Sequence, residues 1–223
     1  MIKYFKQGLM KILNWRYIFS ILSAVRWQMD DVAKSIALFE DLLKKYPNDG
    51  PVCEMLGMCL IRNNDIERGV HSLEEALKWI KSDDKHLPEV YAYLGYGYLM
   101  QKNYQKAIKY NLLALDYWDD SIKKLPIEFS KEQIYENLGL SYEEEDQLDD
   151  AIISYRKGIE INHRNISLLE RLVRSYYLNE EYDKAKMYLD QMLLIDPKLY
   201  DNEEVKEASY LIDRQIGTRD VQK

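Results

Sequence analysis

The side chains able to do chemistry are few and scattered. His71, His86 and His163 are the three histidines, and none has a partner at the spacing that a metal site or a catalytic triad requires. Cys53 and Cys59 lie six residues apart on one expected helix. That spacing turns them well apart about the axis, so they read as reduced, buried, small apolar residues rather than a disulfide. Carboxylates are plentiful, yet Glu143-Glu144-Glu145-Asp146 and Asp149-Asp150 flank expected turns, where runs of charge are solvated surface. No glycine-rich phosphate loop, zinc pattern or nucleophile elbow occurs. The residues point to no catalytic group, no metal ligand and no cofactor. What remains is binding.

The composition narrows the partner. The 223 residues are 47% hydrophobic and 31% charged, which fits a folded chain rather than a disordered one. Five prolines and nine glycines disfavour a loop-rich or turn-rich architecture. A net charge of −7 argues against a general nucleic-acid binder, which needs a basic face to displace counterions from phosphate. The charge is uneven: residues 1–29 carry Lys3, Lys6, Lys11, Arg16 and Arg26 and no acid. No apolar run approaches the roughly 20 residues that span a bilayer. The longest, Tyr17 to Val25, follows too long a basic stretch for a signal peptide and has Leu22 where cleavage wants a small residue. Reduced cysteines and no spanning segment lead us to expect a cytoplasmic protein, with peripheral membrane contact as the alternative.

The elements follow from a repeat. Tyr98 and Ala107, Tyr142 and Ala151, and Tyr176 and Ala185 are each nine residues apart, and Leu94-Gly95 and Leu138-Gly139 stand just upstream of the first two pairs. The last two copies are 34 residues apart, a period that means stacked helical units rather than one core. Residues 132–165 serve as reference: Leu138, Gly139 and Tyr142 share one face of a first helix, and Ala151, Tyr155 and Ile159 form a stripe on a second. The glycine and alanine allow close helix approach while tyrosine and the large aliphatics fill the wider gaps. Unit 166–199 keeps Leu172, Tyr176, Ala185 and Leu189, with Val173 at the glycine place, and closes on Asp196-Pro197. Unit 88–121 carries Tyr91, Leu94, Gly95, Tyr98, Ala107 and Ala114. Unit 50–83 carries Leu56, Gly57, Leu60, Leu73 and Ala76, with Gly69 at the alanine place. Unit 16–49 keeps Leu22, Phe39, Leu42 and the closing Tyr46-Pro47. Asp49, Ser130 with Gln133, and Asn165 are expected helix caps.

Two insertions interrupt the rhythm, Asp84 to Leu87 and Ile122 to Lys131. Because Leu112 to Trp118 continues the helical pattern, the second is expected to lengthen the helix before it. After the last unit, Val205, Ala208, Leu211, Ile212 and Ile216 form one apolar stripe on a final helix over 200–217 that covers the end of the stack. Gly217 is its expected stop, leaving 218–223 frayed.

These residues resemble the tetratricopeptide repeat family: a 34-residue helix–turn–helix with a Leu-Gly-x-x-Tyr core, a small residue opening the second helix and a closing proline. The closing proline is missing from units 50–83, 88–121 and 132–165. The resemblance implies an all-α, right-handed α-solenoid of about five units over 16–199, acting as a non-enzymatic interaction scaffold or adaptor. It also implies that first helices line a concave groove gripping a partner peptide or helix. Carried onto this chain, the groove residues are Glu54, Met58 and Ile61; Ala92, Tyr96 and Leu99; Glu136, Leu140 and Glu143; Glu170, Arg174 and Tyr177. Such a groove is apolar in its first half and acidic in its second, which suits a partner with apolar anchors followed by lysine or arginine.

Residues 1–15 form a second candidate. Ile2, Phe5, Leu9 and Ile12 share a helical face, with Lys3, Lys6 and Lys11 off it. This basic amphipathic segment suits a cap on the first unit, an anionic membrane surface or a partner.

Overall fold

A computed structural model describes residues 31–80, 86–118 and 129–221. The expected N-terminal amphipathic helix and the start of unit 16–49 lie outside these residues. The described residues form ten α-helices, one 3-10 helix and no strand. The chain divides into two compact units, Met1–Lys102 and Asn103–Lys223.

The first unit contains α1 (Val32–Lys45), α2 (Gly50–Arg62), α3 (Ile66–Leu77) and α4 (Leu87–Met100). The carboxylates of Asp31 and Asp49 cap α1 and α2 by accepting from the amides of Lys34 and Val52, both at 3.1 Å. Pro51 stands in the first turn of α2, where its missing N–H costs nothing. Phe39 of α1 packs into one core with Val52, Leu56, Cys59 and Leu60 of α2. Between α2 and α3 the backbones nearly touch. A Cβ on Gly57 would stand 2.9 Å from the Gly69 carbonyl, and one on Gly69 would stand 3.0 Å from the Gly57 carbonyl. Glycine is required on both sides of that contact.

The second unit contains α5 (Tyr104–Asp116), α6 (Lys131–Glu144), α7 (Leu148–Ile161), α8 (Ile166–Leu178), α9 (Tyr182–Ile195) and α10 (Glu203–Val221). Ser130 and Gln133 form a reciprocal capping box on α6, and Asn165 caps α8 through the Leu168 amide at 3.2 Å. One continuous core runs from Ala151, Tyr155 and Ile159 of α7 through Leu172 and Tyr176 of α8 to Ala185 and Leu189 of α9, and reaches Ile212 of α10. Val205 and Ile216 pack against its edge, so α10 covers the last face.

Two expectations are corrected here. The helix before the second insertion is not lengthened among the described residues. It ends at Asp116, and the Tyr117 amide closes it on the Leu113 carbonyl. The final helix does not stop at Gly217 but runs to Val221. A glycine stop needs the left-handed conformation, and no glycine in the described chain has positive φ.

Four residues do adopt it: Asn64 (φ 62°), Lys102 (58°), Asp146 (57°) and Glu180 (59°). Each is the fifteenth residue of its unit and sits in the turn after a first helix. Three of the turns close alike, with the next amide reaching back over the helix end: Asp65 to the Leu60 carbonyl at 2.8 Å, and Gln147 to Tyr142 and Glu181 to Tyr176 at 2.9 Å. This six-to-one bond satisfies a carbonyl the helix would leave bare.

Candidate functional site

The two units place their first-helix residues very differently. In the first, α2 reads Gly-Pro-Val-Cys-Glu-Met-Leu-Gly-Met-Cys-Leu-Ile-Arg and α4 reads Leu-Pro-Glu-Val-Tyr-Ala-Tyr-Leu-Gly-Tyr-Gly-Tyr-Leu-Met, apolar on every side. Helices of that kind are enclosed rather than presented. Accordingly Glu54, Met58, Ile61, Ala92 and Leu99 are buried, and Tyr96 alone of the expected six is partly exposed. The apolar half of the expected groove is therefore core. Glu54, 5% exposed, lies 3.7 Å from the His86 Nδ1. The two cysteines are free and buried, and burial pushes the Cys53 thiol above its ordinary pKa.

In the second unit the expected residues do reach the surface. Glu170 and Arg174 are exposed, and Glu136, Leu140, Glu143 and Tyr177 are partly exposed on α6 and α8. Ser167 at the start of α8 donates its hydroxyl to Glu136 at 2.6 Å. Glu143 lies 3.8 Å from the Arg171 guanidinium and accepts the hydroxyl of Tyr155. Tyr155 is fully buried, and its ring fills the space beside Gly139, where a Cβ would be 2.3 Å from the ring edge. Burial, then the hydrogen bond to Glu143, holds its phenol well above the usual tyrosine pKa. Sequence reasoning named neither Tyr155 nor Arg171 as parts of this face. Both are legible only once α7 and α8 are placed beside Glu143.

The engaged carboxylates change the electrostatics. Glu136 and Glu143 already hold a hydroxyl and a guanidinium, which leaves Glu170 and Arg174 as the charges with no hydrogen bond or ion pair among the described residues. Arg171 offsets the charge of Glu143, so the face is less acidic than the bare sequence suggests. It offers one free carboxylate, one free guanidinium and two apolar side chains, Leu140 and Tyr177, the latter edge-on to Tyr182 at 5.4 Å. Among the described residues no group of three or more His, Cys, Asp or Glu could hold a metal ion. Nor is any described helix long and apolar enough to cross a membrane.

Comparison with known proteins agrees with the helical pairing. A tetratricopeptide repeat family model matches residues 50–83 and 132–165, and a second model of that description matches 22–49. Tetratricopeptide repeats thus stand at residues 22–49, 50–83 and 132–165 of the chain. A curated relative, the tetratricopeptide repeat domain-containing protein PYG7, chloroplastic, of Arabidopsis thaliana, is 28% identical over 126 residues. The match spans 56% of this chain and 40% of that protein, so less than half of the relative's length is represented. Among solved structures, MamA superposes with a TM-score of 0.66 at 22% identity, covering 80% of this chain and 96% of that one. YrrB, a TPR protein with an unusual peptide-binding site, gives 0.65 at 14% identity, covering 83% and 87%. Identities this low speak to the fold, which is an all-α solenoid.

Proposed function

We propose that this protein is a non-enzymatic interaction scaffold that takes a partner segment along the α6–α8 face. The observation that carries the reading is the pair of unengaged charges, Glu170 and Arg174, on the helix that also presents Tyr177. A folded chain rarely gains by leaving an aromatic half-exposed one turn from an unengaged charge, whereas a partner can bury all three. The peptide-binding site of YrrB, on the same fold, supports a peptide as ligand. The segment that fits has an aliphatic or aromatic anchor over Leu140 and Tyr177, a lysine or arginine for Glu170, and a carboxylate within reach of Arg174. Affinity capture from the source organism with mass spectrometry identifies the partner. With that partner, replacing Leu140 and Tyr177 together by alanine is expected to weaken binding roughly tenfold or more while circular dichroism shows the helix content kept. Unchanged binding sinks the reading.

A membrane-surface role would rest on residues 1–14, whose Ile2, Phe5, Leu9 and Ile12 could bury apolar area worth roughly 1.5–3 kcal/mol each. Sedimentation with anionic vesicles tests it: a chain beginning at residue 15 must then be recovered less than the full chain.

A further inference from the structure

The second unit has another opening, away from the α6–α8 face. It lies between α5 and α7, with α6 as its floor, and encloses about 410 Å³. Leu112 on α5 and Ile153 on α7 form its rims and are 45% and 49% exposed. Leu115 and Leu138 lie beneath them. Asp150 stands towards the end marked by Tyr142, whose phenol it helps push upward after burial itself, and Asp116 stands on α5 one turn beyond Leu112. Neither carboxylate has a hydrogen bond or ion pair to its side chain among the described residues. The cation in the lining, Lys157, sits over the Tyr135 ring at 5.8 Å. It is therefore held against the floor rather than against either aspartate.

Two exposed branched aliphatics facing each other across a cleft are not needed to join these helices. The packing between α6 and α7 is made by Gly139 and Tyr155, and α7 meets α8 through Ile159, Leu168 and Leu172. Their exposure costs solubility and gives the fold nothing in return. The unpaired carboxylates beside them select what can cover them. An acidic segment would place like charges together, while a basic one would pair both aspartates and leave Lys157 on its ring.

We propose that the α5–α7 cleft is a second docking surface of this protein, whose occupant is an amphipathic helical segment with an aliphatic stripe and flanking lysines or arginines. The surface is independent of the α6–α8 face, so the chain can hold two partner segments on one unit.

The probe is a labelled helical peptide with leucines at i, i+3 and i+7 and lysines on its flanks, titrated into the full chain by fluorescence anisotropy. Leu112→Ser with Ile153→Ser, which alters no charge, is expected to weaken binding roughly tenfold. Asp116→Asn with Asp150→Asn should weaken it by a smaller factor and reduce its salt dependence. A twin peptide with glutamates for lysines should bind no better than background. Met187→Ser, an exposed change on α9 outside both faces, is the matched surface control and should bind as the parent does. Circular dichroism confirms that each variant keeps its helix content. The proposal is overturned if the serine variant binds like the parent, or if the glutamate twin binds as well as the lysine peptide. It also falls if the parent self-associates and the serine variant loses self-association without losing the peptide, for then the cleft seats a second copy.

Discussion

At the scale of single residues, the contact that organises the second unit is the ring of Tyr155 lying in the space that Gly139 leaves open. An added methyl at Gly139 would meet three ring atoms at 2.3–2.8 Å, and the ring has nowhere to go because Tyr155 is fully buried. Gly139→Ala should therefore cost about 1–3 kcal/mol in urea unfolding, against the usual gain from replacing a helical glycine. Gly217→Ala provides the opposite case. That glycine is helical with nothing within 4 Å of an added Cβ, so the same substitution should stabilise by up to about 1 kcal/mol. Tyr155 also gives the protein an alkaline limit. Its phenol titrates higher folded than unfolded, so the folded state keeps a proton that the unfolded chain gives up near pH 10. Its contribution is complete below pH 10 and falls away as the pH rises further. Tyr135, Tyr142 and Tyr176 are pushed the same way, chiefly by burial. Thermal melts across this range should show falling stability above pH 10, with a shallower fall in Tyr155→Phe. An identical slope in that variant would remove Tyr155 from the account.

At the scale of elements, four turns among the described residues hold a left-handed residue at one fixed place in the repeat, and none of the four is glycine. Asparagine and aspartate tolerate that conformation, whereas lysine and glutamate hold it at a cost of order 1 kcal/mol or more. Lys102→Gly and Glu180→Gly should each raise stability by roughly 0.5–1 kcal/mol, less at Asp146 and least at Asn64, after subtracting the greater chain entropy of glycine. Loss of stability at Lys102 or Glu180 would mean that the side chain does more there than occupy a turn. These turns show why some of the structure was legible in the sequence and some was not. The pairing could be read because Leu138, Gly139, Tyr142 and Ala151 are chosen by packing and recur wherever the packing does. The turn could not, since lysine and glutamate carry no sign of the φ imposed on them. Offset within a repeat also told only which way a first-helix residue faces. Whether Met58 or Leu140 is open depends on its neighbours, and the unbroken apolar run of α2 was the available signal that Met58 is enclosed.

At the scale of the molecule, substantial helix packing within each unit joins neighbours along the chain: α2 with α3, α6 with α7, α8 with α9, and α9 with α10. Stability in such a stack is a sum of local pairings and adjacent interfaces, so damage at one place need not travel. Ala151 is the sharpest place to apply it. It is fully buried at the start of α7, in the core shared with Leu172 and Tyr176 of α8. Ala151→Trp forces an indole into that space at a cost of roughly 1–3 kcal/mol or more. Hydrogen exchange should then quicken first in α6, α7 and α8, while the amides of α2 and α3 in the first unit keep most of their protection. A uniform loss across both units would show a single cooperative body and would count against treating the α6–α8 face as a site that can be altered alone. Local loss would mean that partner binding on that face stabilises its own helices most, so that capture could be read directly as slowed exchange in α6 and α8.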